Sequence, residues 1–430
     1  MVGRAATLQI ADYAALVFGD DAEAFEGLRR SETALQAYAD ERGLVLREEQ
    51  PWPGYVPAAQ QPGPVKHAVW SLAGRFPGGA VGRLRHQAVF GKTFGMDVKG
   101  QHTFMVCRMP ESVGYVPMLC IRPDELMSGM YHWGGDGRKR QTQRFESVEL
   151  ERRYLVEVAP GQAQNWIFQL FSPTFIDWLA HSTPPDFGCK LDLGVFTCET
   201  PQWRGQPGSL TGEVDPEALD LLASAGGRVA ARIRDEVLEE ADGLGRAAEV
   251  DSAEAYAKWA NSPKGPRIVN AFLKLARLGE PDDGISKYAA DRGLRSESPA
   301  DFHARYIGLG MPGAATAVAS GALPGSGRDG SLAWLEYSSE VDVQREYVAL
   351  ATPVSADQAA GWFDPDDAGV PSAGEGIATA ALERCAASGF GISTTRRAAC
   401  VYMRTTGTTP GERIDAFSAE AAEVAALLDA

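Results

Sequence analysis

The residues best suited to chemistry lie together in Tyr131-His-Trp-Gly-Gly-Asp-Gly-Arg-Lys-Arg140. His132 and Trp133 offer a polar ring and an aromatic face. Asp136 and Gly137 supply a turn, and Arg138, Lys139 and Arg140 place three cations side by side. Aromatic and guanidinium groups at one tip grip anions, sugars or the anchor residues of a protein partner. The chain as a whole carries a formal charge of −16, so this basic stretch stands out from its background. The plainer reading is a solvated hairpin tip that turns at Asp136-Gly137.

Other chemistry is thinner. Gly308-Leu-Gly-Met-Pro-Gly313 spells G-x-G-x-x-G, but a dinucleotide fingerprint needs a strand before it and a helix after it. Pro312 interrupts the loop, and a Gly/Pro connection fits it better. No Walker loop, nucleophile elbow or H-E-x-x-H is present. The histidines (His67, His86, His102, His132, His181 and His303) never lie three or four residues apart, so no helical metal pair is encoded. Neither a metal site nor a cofactor is expected. The six cysteines form no C-x-x-C pair and read as reduced, mostly buried thiols. Cys189 and Cys198 face each other across a hairpin tipped by Leu193-Gly194, a spacing that permits a disulfide only in an oxidising compartment.

At 430 residues with 44% hydrophobic content, the chain is long enough to build two or three well-packed domains. Its acidity repels nucleic acids and anionic membranes, so neither is an expected partner. The apolar stretch Tyr13–Phe18 is short and flanked by Asp12, Asp20 and Asp21, unlike a secretion leader. The longest uncharged run, Tyr306–Gly327, is rich in Gly, Ala, Ser and Pro, unlike a membrane span. A cytoplasmic protein with no membrane insertion is expected.

The chain also contains itself twice. Tyr38-Ala-Asp-Glu-Arg-Gly-Leu44 matches Tyr288-Ala-Ala-Asp-Arg-Gly-Leu294, and Phe76-Pro-Gly-Gly79 matches Leu323-Pro-Gly-Ser326. Further on, Val148–Tyr154 pairs with Val341–Tyr347, which sets Arg152 and Tyr154 against Arg345 and Tyr347. Trp166 pairs with Trp362, Phe187-Gly188 with Phe390-Gly391, and Gly212-Glu213 with Gly411-Glu412. These matches give a first module over residues 1–245, with an insertion at about 91–144, and a shorter second module over 251–430.

Within a module, 34–42 reads as a helix stopped by Gly43, and 84–90 as a strand after a Pro-Gly-Gly turn. Val148–Val158 alternates apolar and charged residues, the pattern of a strand with one wet face. A helix broken at Ser172-Pro173 follows, then a hairpin over 189–199, then a helix from Asp215-Pro216 that Gly226-Gly227 is expected to bend. In the second module, Ser418 is expected to cap the closing helix. The fold class expected is α+β: two diverged copies of an antiparallel sheet-plus-helices module forming a pseudo-dimer.

Phe145–Val158, Phe171-Ser-Pro-Thr-Phe-Ile-Asp-Trp-Leu179 and the hairpin together resemble a family of conserved hypothetical proteins from high-GC bacteria. The resemblance covers about residues 72–240 and implies no reaction and no catalytic residues. The function expected is therefore a non-catalytic binding or scaffolding protein. It would use a groove or loop on the duplicated module, with an unidentified protein or a small anionic ligand as partner. The alternative is an enzyme acting on a small acidic metabolite, with the 131–140 loop as anion clamp.

Overall fold

A computed structural model describes residues 35–48, 65–93, 96–109, 112, 118–123, 140–160, 164–192, 195–199, 215–243, 284–298, 301–302, 305–306, 309, 311, 314–323, 327–337, 345–355, 361–365, 377–395, 397–405 and 411–429. Among the described residues the strands form two separate antiparallel sheets, one of nine strands and one of seven, each accompanied by helices. The fold is α+β with two modules.

The first module opens with helix α1 (35–42), which stops where Gly43 turns left-handed at φ +63°. Leu44 then donates its N–H back to the Ala39 carbonyl at 2.8 Å, while Gly43 reaches the Asp40 carbonyl at 3.4 Å. These two bonds satisfy carbonyls that a helix end otherwise leaves bare, and only glycine takes this conformation without strain. The strands that follow are β1 (Val45–Glu48), β2 (Val65–Arg75), β3 (Val81–Thr93), β4 (Met96–Arg108) and β5 (Met118–Pro123). Next come β6 (Gln141–Gln143), helix α2 (Val148–Arg153), β7 (Tyr154–Val158) and helices α3 (Gln164–Leu170) and α4 (Pro173–Ser182). Strands β8 (Gly188–Asp192) and β9 (Val195–Glu199) and the long helix α5 (Pro216–Gly243) complete it.

The second module repeats this opening. Helix α6 (Gly284–Arg292) ends at Gly293, φ +68°, with Leu294 bonded to Ala289 at 2.9 Å. Strands β10 (Arg295–Glu297), β11 (Ala314–Ala322), β12 (Asp329–Tyr337), β13 (Arg345–Pro353) and β14 (Gly361–Phe363) follow. Helix α7 (Thr379–Ser388), β15 (Gly391–Thr395), β16 (Ala398–Thr405) and helix α8 (Gly411–Leu428) close the chain.

Strand order makes the relation explicit. The second sheet runs β10-β11-β12-β13-β16-β15-β14, and the first runs β1-β2-β3-β4-β9-β8-β5 before adding β7 and β6. Details of register repeat as well. Both second strands carry a bulge, between Ala68 and Trp70 and between Ala315 and Ala317. Gly74 and Gly321 lie at the same point beyond it, each against the leucine that follows the first helix, Leu44 or Leu294.

This order moves the extra residues of the first module. Within 91–144, strands β4 and β5 have counterparts in β13 and β14, so the described surplus begins only after Pro123. The described elements without a counterpart are β6, α2, β7 and α3, between Pro123 and Pro173. Consequently Tyr154 is not the equivalent of Tyr347, because β13 corresponds to β4. Nor is Trp166, which lies in a helix, the equivalent of Trp362, which lies in a strand. The letter match misled because Val148–Arg153 is helical rather than extended. Ser147 accepts the Leu150 N–H at 3.3 Å, and acidic residues in the first turn and arginines in the last suit the helix dipole.

Each module is closed by the same three side chains. The Asp220 carboxylate, on α5, accepts from Tyr38 Oη at 2.8 Å and from Arg42 Nε and Nη2 at 2.7 and 2.6 Å. In the second module Asp415, on α8, accepts from Tyr288 Oη at 2.6 Å, from Arg292 Nε at 3.2 Å and from Arg292 Nη2. Tyr and Arg stand four residues apart, on one helix face, so they reach a single partner together. Set on these aspartates, the closing helices bury matching positions: Leu219, Leu222, Val229 and Ile233 against Ile414, Phe417, Val424 and Leu428. That register places Ser418 inside α8, buried, not at its start.

Gly226 and Gly227 do not interrupt α5. A Cβ at Gly226 would collide with Cys198 Sγ, and one at Gly227 with the Pro77 carbonyl oxygen. They are glycines because the helix lies too close to Cys198 of β9 and to the Pro77 turn for a side chain.

In the second module the two sheet faces are covered differently. One packs Leu332, Leu350, Phe363, Ile392 and Val401 under α6, α7 and α8. The other sets Ala333, Tyr347, Ala349 and Tyr402 against Phe302, Tyr306, Leu309 and Met311. The glycine-rich segment around Leu309 thus leads into a strand, β11, and offers no helix N-terminus to a pyrophosphate.

By compactness the chain divides into two units, Met1–Val106 with Pro184–Phe187 and Thr197–Arg228, and Cys107–Thr183 with Gly188–Phe196 and Val229–Ala430. The repeat is therefore carried by strand order, not by these units. Among the described residues no helix is long and apolar enough to cross a membrane.

Two outcomes are expected. Asp220→Asn and Asp415→Asn each remove charge-assisted bonds at a half-exposed site and should cost about 1 kcal/mol, or a Tm drop of about 2–4 °C. Arg42 and Arg292 hold these carboxylates below the ordinary range, each by accepted hydrogen bonds. Their stabilisation is present above the unfolded value of about 4 and is lost as pH falls through the lowered value, so the double variant should show a flatter fall in Tm below pH 4. The second concerns the six cysteines, which are all free and buried. Burial pushes the Cys385 and Cys400 thiols up to about 12. Iodoacetamide at pH 8 should leave the native protein unlabelled and modify all six after unfolding, read as intact mass.

Candidate functional site

Of the residues singled out in the 131–140 segment, His132, Trp133, Asp136, Arg138 and Lys139 lie outside the described residues. Arg140 is described. It sits where the chain runs into β6, and its side chain is only 11% exposed, with Nη1 3.4 Å from Glu157 Oε2. It is not an exposed tip residue.

Around Glu157 the strands build a charged face. Strand β5 pairs with β7 so that Cys120 lies opposite Glu157, and with β8 so that Cys120 lies opposite Lys190. Arg122, two residues along β5, shares that face, and Thr142 of β6 pairs with Glu157 from the other side. The alternate positions, Leu119, Ile121, Val156, Val158 and Leu191, are buried and form the apolar face. Period-two alternation thus separates an apolar side from a charged one.

Glu157 Oε2 accepts from Arg122 Nε at 3.2 Å and from Arg140 Nη1 at 3.4 Å. Two guanidiniums share one oxygen, and Lys190 stands beside them. Beneath them Cys120 is fully buried, and its thiol is pushed up to about 12 by that burial, against the pull of Arg140 and Lys190.

The equivalent place in the second module is filled differently. Phe187 and Phe390 lead into β8 and β15 at Gly188 and Gly391, so Lys190 corresponds to Ser393. Trp362 pairs with Ser393 as Cys120 pairs with Lys190. Trp362 therefore takes the position of Cys120, and Asp364 that of Arg122. The Trp362 indole donates to Tyr402 Oη at 2.8 Å, and Asp364 is bound by Arg108 at 3.1 Å. A large aromatic ring stands where the first module has a small thiol, and an acid stands where it has Arg122.

Sequence reasoning found Arg140 and read Glu157 as wet-face, but it missed Arg122 and Lys190. Their signal is a single cation inside a short strand, Met118–Pro123 and Gly188–Asp192. Elsewhere, His181 lies on α4 with Nδ1 3.0 Å from the Asp177 carbonyl oxygen, on the surface. Among the described residues no group of three metal-ligating side chains comes together. Searches against family models, curated proteins and solved structures returned no match to this chain.

Proposed function

We propose that this is a non-catalytic binding protein that takes a small anionic ligand on the charged face of β5, β7 and β8. The observation that carries this is the convergence of Arg122 and Arg140 on one oxygen of Glu157, with Lys190 alongside. Guanidiniums are suited to planar carboxylates and phosphates, and partial burial strengthens such contacts. Arg140 also links this face to the basic segment before it, so Arg138 and Lys139 follow in sequence as further contributors.

A binding role is favoured over the enzymatic alternative by the state of the two groups nearest the cations. Glu157 is already engaged by two guanidiniums. The Cys120 thiol remains protonated at neutral pH and makes a poor nucleophile.

The test is calorimetric titration of the full chain with citrate and with pyrophosphate at low ionic strength, which separates carboxylate from phosphate preference. Replacing Arg122 and Arg140 with alanine should weaken the preferred anion at least tenfold. Glu157→Gln should tighten it by about tenfold, because the competing carboxylate charge is gone while both arginines remain. A Glu157→Gln protein that folds and shows no gain for either anion would show that the cluster only ties strands together.

A further inference from the structure

We draw no further inference here: the strongest candidate, the exposed apolar surface at Val148 of α2 and Phe168 of α3, carries nothing because nothing in the structure shows what covers it.

Discussion

An antiparallel sheet with helices on one side still has a second face, and what is done with that face governs most of this structure. The helix side is handled identically in both modules, by apolar residues at strand and helix periodicity. The other side cannot be left as bare apolar surface, and the modules diverge there. The second lays Phe302, Tyr306, Leu309 and Met311 across its strands and finishes the face with Trp362, Tyr347 and Tyr402. The first, over β5, β7 and β8, keeps charge on that face.

Divergence on one face required constancy elsewhere. The Tyr–Arg–Asp closure ties the first helix of each module to its last across nearly the whole module, and it is the same in both. A left-handed glycine ends the first helix and turns the chain into the first strand. Since the two aspartates sit at equivalent points on α5 and α8, they fix the register of a long buried helix against the sheet. With both ends held, strands at the far edge were free to gain elements. The first module gained β6, α2, β7 and α3 there without disturbing the path of its other strands.

The two modules differ at one place in the sheet. Cys120 and Trp362 occupy one topological position, and Arg122 and Asp364 the next exposed one along. Beside the thiol, Arg122 and Arg140 share one oxygen of Glu157; the indole donates to Tyr402, which donates to Asp364. Exchange of these two side chains reverses the sign of the charge at one place in the fold, Arg122 in the first module and Asp364 in the second. In both, burial supplies the strength, because charge interactions in a partly desolvated setting are far less screened than at an open surface.

The sequence by itself determined the α+β class, the presence of two related modules, the glycine-stopped first helices, the break at Ser172-Pro173 and the start of α5 at Pro216. Each rests on local chemistry: a residue that alone accepts a left-handed turn, a proline that can only begin a helix, an apolar spacing of 3.6. It did not determine where the surplus lies, because Val148–Arg153 alternates like a strand while Ser147 and the charged turns make it a helix. Strand pairing alone revealed that β4 answers β13. Nor did it bring Arg122, Lys190 and Glu157 together, or Arg108 to Asp364. Those residues are tens to hundreds of positions apart, and only cross-strand register and the packing of strands from different parts of the chain decide which side chains become neighbours.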